Sequence, residues 1–323
     1  MIFDKKTWNK IGKGFGVYDG AYGFDGRLAF IFVEDKESGR DPLPVTRFVF
    51  ARRERPVENR FYCLETEEFS FSRIAASSTS TPEFVAVDIQ RQVLSYSHDY
   101  DGVEPSIDGA LSGTDDYLSS IKKVIRVNAT IYAIGWPNRI YKRLGEKSWE
   151  LHSTTIPIPK ELFDSSEEKR IDAVISNSLL DMSGFSDSDM YTVGEKGTVF
   201  RFDGKKWEQL VFPTNLNLCT VSCAADGWVY ITDKKGHVWQ GKNNTWKKIS
   251  ETNVLRPFVD AAWFDDKMWF SNDHGIADYT FKSFGNEDNG FTIKKAGAKV
   301  QTQAIILAQI NINLRMTSIT IYT

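Results

Sequence analysis

Four segments of this chain repeat one another, and that self-similarity constrains the fold more tightly than any single motif. They are IYAIGWPNRIYKRLGEKSWELHS from Ile131, MYTVGEKGTVFRFDGKKWEQLVF from Met190, VYITDKKGHVWQGKNNTWKKISE from Val229 and MWFSNDHGIADYTF from Met268. The leading aromatics, Tyr132, Tyr191, Tyr230 and Trp269, lie 59, 39 and 39 residues apart. The unit is thus 39 residues long, and the first interval carries an insertion of about 20, residues 155–174.

Each unit has the chemistry of a small antiparallel sheet. Six residues after the leading aromatic stands Asn138, Gly197, Gly236 or Gly275, residue types that accept positive φ cheaply and so close a tight hairpin. Short β-branched and apolar runs flank that turn, as in Val229 to Thr232 and His237 to Gln240, with the alternation of half-buried strands. A second turn follows at Asp203-Gly204 or Asn243-Asn244, after which Trp149, Trp207 and Trp246 open a fourth strand. A small-residue run such as LCTVSCAA or FVDAAWF precedes the leading aromatic and reads as an inner strand.

Four short strands in about 40 residues, repeated, predict an all-β chain: a β-propeller of four-stranded antiparallel blades. At roughly 42 residues per blade the length of 323 residues allows seven blades, with six as the alternative. The whole chain, 1–323, reads as one propeller domain whose clearest repeats occupy 120–285. LAFIFVED, TRFVFARRE, RFYCLETEEFSFSRI, EFVAVDIQ and QVLSYSHD read as strands that do not fall into the 39-residue frame. Residues 289–323 are an atypical C-terminal segment with four bases and no acid, so the rest of the chain is more acidic than the net charge of -3. The tryptophans at fixed offsets are expected to pack between neighbouring blades.

Composition removes several function classes. With 40 Lys and Arg against 43 Asp and Glu there is no basic signature of a nucleic-acid binder. No window approaches the ~18 apolar residues of a membrane-spanning helix, so no membrane partner is expected, and MIFDKKTWNKIGKGFG does not read as a secretory signal. A cytoplasmic location follows as the expectation. Cys63, Cys219 and Cys223 form no disulfide framework or metal site. Asp99, Asp101 and Glu104 partly resemble a calcium loop but lack the remaining spaced ligands. TDKKGHVW from Thr232 misses the Asp-box of sialidases because Asp233 is displaced by one position. No catalytic residue, metal or cofactor is therefore assigned.

Strand order places the candidate site. In a four-stranded meander, the turns between second and third strands share a face with the connections between blades. That face collects Trp136, Asn138, Glu195, Lys196, Lys234, Lys235, Asn272, Asp273 and His274, together with the insertion, where Pro159 is a candidate helix opener. Long connections carry function more often than tight turns. Trp136, as an exposed turn tryptophan, is a candidate hot spot, and the alternative is that it folds back onto the blade.

The units MYTVGEKGTVFRFDGKKW and VYITDKKGHVWQGKNNTW resemble the aromatic-Gly-turn-aromatic-Trp units of bacterial propellers, including tectonin-like repeats, over about residues 120–285. The resemblance implies an architecture, and tectonin-like propellers often bind glycans or proteins. An acidic propeller of this size without catalytic motifs also resembles immunity proteins of contact-dependent or type VI toxin systems. That resemblance implies a non-catalytic protein binder that covers a toxin domain, and an acidic body would suit a basic toxin. Two further readings stand beside it: a glycan-binding, lectin-like propeller, and a propeller hydrolase or lyase using Asp181, Asp260 and Asp265 at the central channel.

Overall fold

The computed structural model describes residues 2–23, 26–36, 43–79, 81–108, 119–250, 257–264, 266–273, 279–285 and 292–296. Among them stand six four-stranded antiparallel sheets, each a meander of consecutive strands. Blade I holds β1 (Phe15–Tyr22), β2 (Arg27–Glu34), β3 (Thr46–Arg52) and β4 (Phe61–Thr66). Blade II holds β5 (Arg73–Ser77), β6 (Glu83–Val87), β7 (Val93–Tyr96) and β8 (Asp101–Glu104). Blade III comprises β9 (Ser120–Val127), β10 (Thr130–Trp136), β11 (Arg139–Gly145) and β12 (Ser148–Leu151). Blade IV comprises β13 (Leu179–Ser186), β14 (Asp189–Gly194), β15 (Val199–Phe202) and β16 (Trp207–Gln209). Blade V is β17 (Leu218–Cys223), β18 (Val229–Asp233), β19 (Val238–Lys242) and β20 (Thr245–Ser250). Blade VI is β21 (Asp260–Phe264), β22 (Lys267–Asp273), β23 (Tyr279–Gly285) and β24 (Thr292–Ala296).

Six is the smaller of the two counts the length allowed. Dividing the chain evenly ignores two helices: α1 (Lys5–Ile11), which precedes the first blade, and α2 (Glu167–Ser176), which lies in the insertion. The run RFYCLETEEFSFSRI proves to be β4 and β5 of different blades, joined by the connection at residues 67–72. The atypical segment supplies β24, the outermost strand of blade VI, and its remainder lies outside the described residues.

Stability comes from apolar clusters that each span two blades. Phe48, Phe50 and Phe84 join blades I and II, and Val85, Val124 and Tyr141 join II and III. Tyr132, Met190, Phe202 and Trp207 join III and IV, while Val193, Val221 and Trp239 join IV and V. Trp207 is 3% exposed, and Trp149 and Trp246 are half-buried against the II–III and IV–V clusters. The repeated tryptophans are therefore packing between blades. Blade I turns its other face to the N-terminal segment, whose Phe3, Trp8 and Ile11 cover Phe30, Phe32 and Val49. Asp4 caps α1 by accepting a hydrogen bond from the Thr7 N–H at 2.7 Å.

The turn residues do what their spacing required. Asn138, Gly197 and Gly236 have φ of 52°, 71° and 78°, and Gly275 lies outside the described residues. Gly197 is needed on a second count, because a Cβ there would stand 1.9 Å from the Thr214 carbonyl oxygen.

The inner strands β1, β5, β9, β13, β17 and β21 line one central channel of about 440 Å³. At one register level the six inner strands carry equivalent residues, Asp19, Arg73, Lys123, Asp181, Thr220 and Asp260, of which Lys123, Asp181 and Asp260 line the channel. Asp19 accepts hydrogen bonds from its neighbour Gly20 N–H at 2.9 Å and from Ile74 N–H of the next blade at 3.0 Å. Asp181 does the same with Met182 and Val221, both at 2.9 Å. Each carboxylate thus ties one inner strand to the next and satisfies buried backbone donors.

Candidate functional site

The loop face is organised around the insertion, which runs from β12 to β13 through residues 152–178. Pro159 precedes a 3-10 turn, Lys160–Phe163, and α2 starts only afterwards, with Ser166 at its N-cap. Leu162, Ala173 and Val174 are buried together and pack on Trp136. That contact settles the position of Trp136. It is half-buried as the floor on which α2 rests, so it is not a freely exposed hot spot. Asn138 is likewise committed to the fold: it is 8% exposed, its N–H donates to the Asn177 carbonyl at 2.7 Å, and it thereby pins the end of α2.

The opposite side of the insertion meets solvent. Ile171 and Ile175 are 41% and 60% exposed, and at i, i+4 they share one face of α2. Phe163, on the turn packed against α2, is 53% exposed, and Ile158 is 44% exposed. Glu167, Glu168 and Asp172 are exposed on the same helix, while Lys169 is drawn back to Asp164 at 3.0 Å. None of these four apolar residues is a candidate on sequence grounds, where Pro159 reads as a helix opener and Ser165 and the charged run Glu167 to Arg170 as solvent-seeking. The signal was the pair Ile171 and Ile175 at helical spacing, which Ala173 and Val174 already suffice to anchor.

Next to α2 lies a small basic cluster. Glu195 sits on the β14–β15 turn with the exposed Lys122, Lys196 and Lys234 around it, and burial raises its carboxyl pKa against the pull of these lysines. Lys196 and Lys234 are held by Asn217, whose side-chain and main-chain oxygens accept their N–H groups at 3.1 and 2.9 Å. Lys235 is exposed, and its N–H donates to Asp233. Asn272 and Asp273 are paired residues of β22, opposite Thr280 and Tyr279, so they are strand and not turn residues. His274 lies outside the described residues. The structure therefore brings Trp136, Asn138, Glu195, Lys196, Lys234 and Lys235 to one face, the first two as supports.

Asp233 is the most heavily bonded side chain of that face. Its Oδ1 accepts the N–H groups of Lys235 and His237, and its Oδ2 lies 2.8 Å from His237 Nδ1 and 3.1 Å from Trp239 Nε1. The residue that spoiled an Asp-box match is thus a hairpin lock. Asp88 repeats it in blade II, accepting the N–H groups of Gln90 and Gln92 at 2.9 and 2.8 Å.

In the channel, Asp181 and Asp260 converge as the enzyme reading required, but on a cation. Lys123 Nζ lies 2.7 Å from Asp181 and 3.2 Å from Asp260, bridging opposite sides of the channel. Burial pushes the Asp181 carboxyl up, Lys123 opposes this and the Asp260 carboxylate adds to it, while the two acids hold the lysine firmly charged. Asp265 lies outside the described residues. The partial calcium loop dissolves: Glu104 points inward to Arg143 and Asp101 accepts from the Tyr62 hydroxyl. Cys219 and Cys223 are free thiols, pushed up to about 12 by burial.

No family model matches the chain. It is 30% identical over 168 residues to the immune protein Tsi7 of Pseudomonas aeruginosa, a match covering 52% of this chain and 50% of that protein. Among the described residues, no helix is long and apolar enough to cross a membrane. In three dimensions the chain is similar to YCF48 from Cyanidioschyzon merolae, with a TM-score of 0.55, 12% identity and 88% and 85% of the two chains covered. The WD40 repeats of RRP9 align with a TM-score of 0.54 and 10% identity over 88% and 80% of the chains. A structure of YCF48 bound to D1 peptide aligns at 0.53 and 12% over 90% and 83%. The fold is the β-propeller, and half of the chain is similar in sequence to an immunity protein.

Proposed function

We propose that this chain is a toxin-neutralising immunity protein, a non-catalytic propeller that binds an effector domain on its loop face. The observation that carries the reading is the exposed apolar row of the insertion, Ile171 and Ile175, beside exposed Phe163. A helix that already buries its inner face gains nothing in the free protein from a second apolar face, whereas such patches mark protein docking surfaces. The similarity to an immune protein supports the toxin as the class of partner, and a propeller of this fold bound to a peptide supports the mode. In this reading the effector belongs to a type VI or related toxin system and is met in the cytoplasm. Glu195, Lys196, Lys234 and Lys235 form the polar edge of the contact.

Of the acids named for an enzyme reading, Asp181 and Asp260 are both engaged by Lys123 in one buried cluster, which supports the binding reading over it. Co-expression with a toxin whose gene is found next to this one tests the proposal: growth should be restored, and Ile171→Asp with Ile175→Asp should weaken the complex by about 30-fold or more. A toxin that remains lethal in the presence of folded native protein would remove the reading.

A further inference from the structure

Arg139 is 5% exposed, and among the described residues its guanidinium has neither a hydrogen-bond acceptor nor an ion-pair partner; its Nε is fully buried and unpartnered. The side chain lines a second, partly open cavity of about 270 Å³, together with Ile107, Asp108, Tyr141, Trp149 and Leu151. The indole Nε1 of Trp149 is also buried without an acceptor. Asp108, the acid on this wall, is exposed and has a partner of its own. Among the described residues, the Tyr141 hydroxyl reaches Ser119 Oγ at the long distance of 3.5 Å. Among the described residues, the cavity is thus lined by a cation with no carboxylate paired to it.

Buried guanidinium groups are nearly always compensated, because an unpaired charge in a poorly solvated site is costly. Two aligned N–H donors suit the two oxygens of a carboxylate, and one negative charge balances one positive charge. We propose that this cavity is a carboxylate-binding site, with the Arg139 guanidinium as the charge partner. Burial depresses the Arg139 pKa and only Tyr141 opposes it, in keeping with a cation that no neighbouring acid supports. Arg139 directly follows Asn138 on the loop face, so two sources can supply the group: a small free carboxylate, or an acidic side chain of a polypeptide. The site does not depend on the toxin-neutralising reading and would exist whatever the propeller binds.

Thermal melting at constant ionic strength distinguishes the cases, with sodium acetate as one probe, an end-blocked tetraglutamate peptide as the other and sodium chloride as the reference. Acetate at tenfold its Kd should raise Tm by roughly 2 °C relative to chloride. The effect should vanish in Arg139→Met. A peptide that binds at least tenfold more tightly than acetate identifies a polypeptide source, and equal affinities identify a free carboxylate. The inference is overturned if neither probe shifts the native protein, or if Arg139→Met responds as the native protein does. It is equally overturned if Arg139→Met without ligand unfolds as readily as Arg143→Met, because the charge would then be neutralised inside the chain.

Discussion

Arg143 and Arg139 leave the same face of β11 four residues apart, both turned toward blade II, and are 1% and 5% exposed. Arg143 is clamped by two glutamates of blade II: Glu83 accepts from it at 3.1 and 2.9 Å, and Glu104 at 2.6 and 2.7 Å. Glu104 also accepts from Ser95 Oγ at 2.5 Å and from the Lys147 N–H at 2.9 Å. Trp149, paired with Arg143 across β11 and β12, has its ring centre 5.4 Å from the Arg143 guanidinium and also lines the cavity beside Arg139. One cation is therefore a completed joint between blades II and III, while its neighbour faces a cavity. The pKa directions express the same contrast: burial opposes both charges, but the glutamates raise Arg143 well beyond the loss, whereas Arg139 stays depressed.

The largest expected effect follows from breaking the completed joint. Arg143→Met leaves Glu83 and Glu104 buried without their cation, a change that costs about 3–5 kcal/mol. Chemical denaturation should show the loss as a fall in midpoint. Arg139→Met removes a cation that no acid compensates, so in the absence of ligand it should change stability by less than about 1 kcal/mol or increase it. A loss as large as that of Arg143→Met would erase the contrast.

A second comparison shows why half the ring was hard to read. DIQRQV from Asp88 and DKKGHV from Asp233 are the same hairpin, with the aspartate accepting the N–H groups two and four residues on. Arg91 stands where Gly236 stands, at φ 71° against 78°. A search keyed to turn glycines and to leading aromatics misses blade II, where Val85 replaces Tyr230 and an arginine accepts the left-handed conformation. Arg91 is retained there by long-range contacts: its guanidinium donates to the Ile107 carbonyl at 3.1 Å and to that of Ser119. The aspartate was the better key. By contrast, the channel belt of Asp19, Lys123, Asp181 and Asp260 was only partly visible, because it depends on register across six strands and not on local spacing. The exposed Ile171 and Ile175 were hidden for the converse reason: helical periodicity names an apolar face, but only tertiary contacts reveal that Ala173 and Val174 had already filled the blade side.

The two hairpin locks allow a measurement of intermediate size. Asp233→Ala strands the Trp239 indole and two main-chain N–H groups, and should cost about 2–3 kcal/mol. Asp88→Ala also strands main-chain donors but no indole, so its loss should be smaller. Equal midpoints for the two variants would show that the Trp239 and His237 ring contacts of Asp233 add no more than the Ser70 main-chain and Gln92 side-chain bonds of Asp88.

Acid provides the mildest test of the joint at Arg143. Burial would raise the Glu104 carboxyl, but the bonds from Arg143 and Ser95 outweigh it and hold the group below its ordinary 4.5. A depressed carboxylate contributes stability that is present above the unfolded-state pKa and is lost as pH falls through the folded-state value. The native protein should therefore lose part of its stability as the pH is lowered below about 4.5, and Glu104→Gln should flatten that segment of the profile. The raised Asp181 acts with the opposite sign, because its protonation on acidification relieves a buried negative charge. Comparing the native profile with those of Glu104→Gln and Asp181→Asn separates the two contributions. A Glu104→Gln profile parallel to the native one would mean that the Arg143 clamp contributes no pH-dependent stability, and that the contrast between the two arginines lies in packing alone.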